Sequence, residues 1–287
     1  SEHHSPKGFA LINNGLGALA MIEGDSVTAR RYFNSAIKVC KKSSLIEEGI
    51  NPLTNLAELH HCTGHFTKGL QLIEELLPKC KAINFPQGEG VLLRYKTLLL
   101  GDLGRKQEAL TAGKRAYELQ KSLNNPHEQL TTLVFLLRIQ MEHTELLDEA
   151  LSLAEQYDIE GFYPILLSWK ARILWQQGQK VQLSTSQLNI SNVPHQKIRS
   201  LLNLANYYGF IEQKEEAIVL AHQALQLANQ CRFRYYSYRA TLLLSVLDDH
   251  NSRHKVNAAS LSKTLRAALS AEDEHSFLRR NEASFHE

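Results

Sequence analysis

Small residues recur along this chain at a fixed interval. Ala29, Gly69, Ala109 and Ala150 are separated by 40, 40 and 41 residues, and Ala217 follows 67 further on, the length of two shortened units with a degenerate one centred near Gly178. A period of this size belongs to chains built from supersecondary units stacked side by side, each burying its apolar face only against its neighbours. Such an array grows without adding separate cores, so the 287 residues are read as one domain, 1–287.

The first unit shows what repeats. Leu16-Gly17 and Ala20 lie on one helical face, Gly24-Asp25 follows, and Ala29, Phe33 and Ala36 continue at i, i+4, i+7 spacing. Glycine at 24 accommodates a positive φ at the end of the first helix, and Asp25 caps the start of the second. Small residues at 17, 20 and 29 let the two backbones approach while Phe33 fills the next layer. The second unit reads Leu56-Ala57, His60, Gly64, Gly69, Ile73 and Leu76. The third reads Leu100, Gly104, Ala109, Gly113 and Ala116, and the sixth Leu204-Ala205, Tyr208, Ala217, Ala221 and Ala224. The fourth is carried by Asp148-Glu149-Ala150-Leu151 and Ala154, with Glu145 where the turn glycine would stand. The fifth has a first helix from Ile165 to Gln177, but Ser184-Thr185-Ser186-Gln187 and Ser191-Asn192 favour side-chain to backbone bonds over a second helix. Pro52, Pro86, Pro126, Pro164 and Pro194 are expected near the starts of first helices, and Pro78 is expected to end the second helix of its unit. No stretch alternates with period two, so the expected fold is all-α, a superhelix of about seven helix pairs with a degenerate repeat near 178–195 and a closing segment at 264–287.

This pattern resembles the tetratricopeptide repeat, whose usual unit is 34 residues; units near 40 require longer helices or longer loops. The Gly-Asp turns and the helix end 116–122, Ala-Tyr-Glu-Leu-Gln-Lys-Ser, look like the sensor superhelices of large bacterial signal-transducing ATPases. Leu265-Arg266-Ala267-Ala268-Leu269-Ser270-Ala271, followed by Phe277-Leu278-Arg279-Arg280, is similar to the segment that closes the repeat domain of MalT-like, LuxR-type transcription activators. That resemblance implies a parent chain with a nucleotide-switched ATPase, this superhelix as the inducer-sensing module, and a DNA-binding domain. The present sequence then reads as the middle piece: it contains no GxxxxGK[ST] run and no basic helix-turn-helix after Arg280.

Composition excludes several other functions. Lys+Arg 32 against Asp+Glu 30, with both signs dispersed, leaves no basic stripe for nucleic acid. The longest uncharged apolar stretch, 9–22, contains Asn13, Asn14, Gly15 and Gly17 and is too short and polar to span a bilayer. Cys40, Cys62, Cys80 and Cys231 are too widely spaced for a disulfide framework, so reduced buried thiols and a cytoplasmic location are expected. HExxH, GxSxG, GxGxxG and CxxC do not occur, and no enzyme activity and no cofactor are expected.

In such superhelices the first helix of each unit lines the concave surface. The positions that fall off its packing face include Asn14, Asn55, Glu58, His61, Arg94, Tyr95, Trp169, Arg172, Trp175, Asn203, Asn206, Arg234 and Tyr238. Planar aromatics, a bidentate guanidinium and amides suit a polar small molecule such as a sugar, and equally a peptide. Trp169 and Trp175 are six apart with Arg172 midway; they cannot share a helical face, so one belongs to the core and Arg172 serves the other. His60, His61, Cys62 and His65 hint at a metal, but Gly64 interrupts the helix and no third or fourth ligand is identifiable, so no metal is expected. The other histidines, His3 and His4 among them, have no organising spacing. The expected function is a module that binds a small inducer in its groove and biases the parent's ATPase and DNA binding; the alternative is a scaffold for a peptide or helix of a partner protein.

Overall fold

The computed structural model describes residues 5–140, 143–157, 160–184 and 188–283. Of the positions singled out above, His3, His4, Thr185, Ser186, Gln187 and the end of the closing segment, 284–287, lie outside these. The architecture is an all-α superhelix, with fourteen α-helices and no strand among the described residues. Its pairs are α1 (Pro6–Ile22) with α2 (Ser26–Lys42), α3 (Ile46–Thr63) with α4 (Phe66–Ala82), α5 (Pro86–Asp102) with α6 (Lys106–Ser122), and α7 (Pro126–Leu137) with α8 (Thr144–Gln156). Then come α9 (Tyr163–Gln176), α10 (Pro194–Phe210) with α11 (Lys214–Gln230), α12 (Arg234–Leu247) with α13 (Ser252–Arg266), and the closing helix α14 (Ala271–Ala283).

A twenty-residue beat sets this geometry. Gly24, Ser44, Gly64, Asn84, Gly104 and Asn124 all adopt positive φ, between 50° and 82°. In each case the following N–H bonds to the carbonyl five residues back, as Asp25 does to Ala20 and His65 to His60, which satisfies an orphan carbonyl at the helix end. Two or three residues separate one helix from the next up to α7, so the length beyond 34 residues sits in the helices, which are 17 residues each in α1, α2, α4, α5 and α6. Asp25 caps α2 through bonds of 3.1 Å from the N–H groups of Val27 and Thr28, as its sequence position predicts. Phe33 lies against Gly17 so closely that a Cβ there would come within 2.5 Å of the ring.

Three local readings need correction. Pro78 does not end α4, which continues to Ala82; Leu76 and Cys80 are buried on either side of it, and that packing outweighs one lost backbone bond. Pro52 lies inside α3, not at its start, between the buried Ile50 and Leu53. Glu145 is not at a turn but in the first turn of α8, where its charge favours the helix dipole. In the fifth unit α9 is followed by no second helix among the described residues. The described residues 177–184 and 188–193 there are non-helical, with Val181, Leu183, Leu188 and Ile190 against the core and the carbonyls of Val181 and Leu183 accepting the hydroxyls of Tyr207 and Tyr208.

The superhelix winds far enough for its last units to return to its first. Gly24 lies against Cys231 at the turn between α11 and α12, Gly64 against Leu265 of α13, and Gly104 against the backbone of Ser276 in α14. At Gly64 and Gly104 a side chain would overlap these neighbours, so glycine is needed there for the close approach as well as for its φ of 80° and 82°. Gly178 has a φ of 83° and nothing within 4 Å of its Cβ position. Gly178→Ala should therefore cost only the left-handed penalty of about 1–2 kcal/mol, whereas Gly104→Ala, which meets a backbone carbonyl, should cost at least about 3 kcal/mol by adding overpacking. Urea denaturation of the two variants measures the difference.

Candidate functional site

Because the first helices face inward and the array closes, their polar residues meet in the middle. Glu58 of α3, only 8% exposed, accepts bonds from Nη2 of Arg199 on α10 at 2.6 Å and from the Tyr95 hydroxyl on α5 at 2.9 Å. Nε of Arg199 donates to the Tyr236 hydroxyl on α12 at 2.5 Å. A single carboxylate thus ties the second unit to the sixth. Near the end of α3, His61 is fully buried with Nε2 2.5 Å from Asp102 Oδ2, and Arg138 donates to both oxygens of Asp102 at 2.8 and 3.0 Å. From α14, Arg280 donates to the Arg138 carbonyl at 2.6 Å, and Phe277 stacks on Tyr238 at 5.8 Å. Tyr235 completes the wall, edge-on to Phe66 at 4.9 Å and to His61 at 5.2 Å.

Burial and pairing oppose each other here. Burial acts to raise the Glu58 carboxyl, but the charge of Arg199 and the bonds from Arg199 and Tyr95 hold it well below the usual range. Asp102 is likewise held ionised against burial, chiefly by Arg138. The imidazoles behave differently: burial lowers His195 to about 4 although Glu58 lies 3.6 Å away, lowers His60 to about 3, and lowers His61 despite Asp102. Burial pushes the Cys62 thiol up, which keeps it protonated and unreactive, and all four cysteines are buried and free.

The residues singled out from sequence divide into several environments. Glu58 and Tyr95 are in the centre. Arg94 lies 4.5 Å over the Tyr95 ring with Nε 2.9 Å from Glu128, an ion pair that joins α5 to α7. Asn55 bonds Asn14 at 3.0 Å between α3 and α1. Trp169 is the core tryptophan, its indole N–H donating to Asn203 at 2.9 Å, while Trp175 is half-buried beside Lys180. Arg172 lies over the Phe210 ring at 4.8 Å, so α9 does not gather its three residues around one opening. Tyr238 is buried against Phe277, and Arg234 is exposed at the start of α12. His60 and His65 meet edge-on at 5.8 Å, and among the described residues no group of three or more His, Cys, Asp or Glu could hold a metal ion.

Asp102, Arg138, His195, Arg199, Tyr235, Tyr236, Arg239 and Arg280 were not picked out as candidates. Their signal is a lone charge inside an apolar run, as in Leu98-Leu99-Leu100-Gly101-Asp102 and Leu136-Leu137-Arg138, where an exposed face would show several charges.

A cavity of about 50 Å³ remains between α7, α10 and α12, lined by Arg138, Arg199, Arg239, Asn203, Asn206 and Tyr236 over an apolar floor. A larger apolar depression of about 190 Å³ lies between α2, α3 and α4, rimmed by Lys41, Glu75 and Lys79. No helix among the described residues is long and apolar enough to cross a membrane. Comparison of the chain with protein-family models and with curated proteins finds no match.

Removing one partner of a buried pair leaves the other charge uncompensated. Glu58→Ala should cost about 3–5 kcal/mol, against about 0–1 kcal/mol for Glu75→Ala at the exposed pair with Lys41; chemical denaturation measures both. The histidines set the pH response. They are neutral in the fold but take up a proton below about 6.5 when unfolded, so stability present above that pH is lost as pH falls toward 4. The slope should approach about 1.4 kcal/mol per pH unit for each such histidine, and His195→Gln should flatten it in urea titrations at a series of pH values.

Proposed function

We propose that this chain is a non-enzymatic sensor module of a MalT-like, LuxR-type transcription activator. It binds a small metabolite in its interior and passes the event to an ATPase and a DNA-binding domain of the parent protein in the cytoplasm. The observation that supports this reading is the polar centre, where charge-assisted bonds join units 141 residues apart around a small cavity. A polar ligand competing for those donors or completing them changes how firmly the array is closed. Binding shifts the parent only in so far as affinity differs between the two curvatures. In the closed form the cavity admits a molecule of a few heavy atoms; a sugar ring requires the seam to open. A thermal-shift screen against sugars, amino acids, nucleotides and organic acids tests the reading. A true ligand at 100 times its Kd stabilises by about 2.7 kcal/mol, seen as a rise of several degrees. A flat screen from a cooperatively melting protein contradicts it.

A scaffold for a partner helix is favoured by a separate feature. On α1, Phe9, Ile12, Leu16, Leu19 and Ile22 are exposed, Ile12 by 64%. Their counterparts 40 residues on, including Pro52, Leu56 and Leu59, are buried in α3, alongside which α2 packs. The face of α1 therefore suits an amphipathic helix of the α2 kind, with small residues along its packing stripe. A labelled peptide of residues 26–42 should bind the wild type saturably in fluorescence anisotropy and fail to bind Ile12→Asp/Leu19→Asp; equal binding to both removes this reading.

A further inference from the structure

We infer that the cavity between α7, α10 and α12 is a site for a small organic anion, a carboxylate head on a short apolar body. The inference rests on the reading of the polar centre as a ligand site and assigns that ligand's chemical class.

Three guanidiniums and no carboxylate form the cavity wall. The acids that balance Arg199 and Arg138, Glu58 and Asp102, reach them from α3 and α5 and do not line it. The repeat itself produces this concentration of positive charge. Arg199 and Arg239 are 40 residues apart, the sixth residue of α10 and of α12, and equal positions of successive first helices stack as neighbours. The cavity is thus flanked by two arginines in register, with Arg138 from α7 as a third.

Donors remain for a ligand. Arg199 uses Nε on Tyr236 and Nη2 on Glu58, and Arg138 uses Nη2 on Asp102. Nη1 of Arg199, and Nε and Nη1 of Arg138, donate to no protein acceptor among the described residues. Donors of planar guanidiniums around one pocket are the arrangement that binds a carboxylate or phosphate in bidentate fashion. Size and floor narrow the class. About 50 Å³ excludes nucleotides and sugars in the closed form, and Val134, Phe135, Ile165 and Leu202 offer an apolar surface to a short hydrocarbon body. Asn206 lines the rim; its amide N–H₂ bonds the Leu202 carbonyl one turn back at 2.9 Å, which does not tie it to another helix.

Calorimetric titration of the whole chain in chloride buffer at constant ionic strength tests the site. The probes are acetate, butyrate and succinate, with inorganic phosphate and the neutral butyramide as comparisons. Butyrate should bind saturably and butyramide should not, and phosphate should bind more weakly than butyrate. Asn206→Asp, which puts a carboxylate in the wall, should weaken butyrate at least about tenfold; Asn206→Ser should retain binding, and both should melt cooperatively. Unchanged butyrate affinity in Asn206→Asp, equal binding of phosphate or of butyramide, or no saturable heat from any carboxylate overturns the inference. If a neutral sugar binds while no anion does, the anion site is wrong and the sensor reading stands; silence toward every compound removes both.

Discussion

A left-handed residue every twenty positions governs the first half of this molecule. Each one stops a helix at nearly the same length and turns the chain through a connection of two or three residues, so successive helices differ by a nearly constant rotation and translation. A constant step makes a superhelix, and the hydrophobic layers of Ala, Leu and Phe follow from where that step brings helix faces together. In every second turn the left-handed residue is glycine, and those glycines carry a second duty where the first units meet the last. Asparagine adopts the same left-handed conformation at 84 and 124, with φ of 53° and 50°.

Closure changes the physical character of the concave surface. An open groove would leave its polar residues in water, where ion pairs contribute little. Closed on itself, the same surface becomes an interior in which Glu58, Asp102 and their arginines depend on one another, and in which histidines lose their protons. Aromatic rings of α4, α12 and α14 exclude water from one side of it. The closing helix is therefore part of the centre: Phe277 and Arg280 reach the residues that come together from α3, α5 and α7.

Much of the array was legible from local signals. The Gly-Asp turn and the weak second half of the fifth unit depend on residues within one or two turns of each other, the interval between small residues is open to counting, and the inward orientation of first helices is what the resemblance to repeat superhelices implies. Pro78 and Pro52 were misread because propensity was set against packing that only the assembled units provide. The closed centre was half visible. Glu58 and Tyr95 stood out as polar residues on an inner face, but their partner Arg199 lies 141 residues from Glu58, and nothing local announces a contact that depends on rotation accumulated over four units. Arg172 and Trp175 drew attention as a cluster in sequence, yet α9 turns them to different neighbours.

The central claim is that Glu58 and Arg199 act as one unit holding the array closed. A double-mutant cycle with Glu58→Gln and Arg199→Met, followed by urea denaturation, measures it most directly. Closure through this pair predicts a coupling energy of about 2–3 kcal/mol, with the double variant more stable than the sum of the single losses allows. Additive losses, with coupling below about 0.5 kcal/mol, would contradict it.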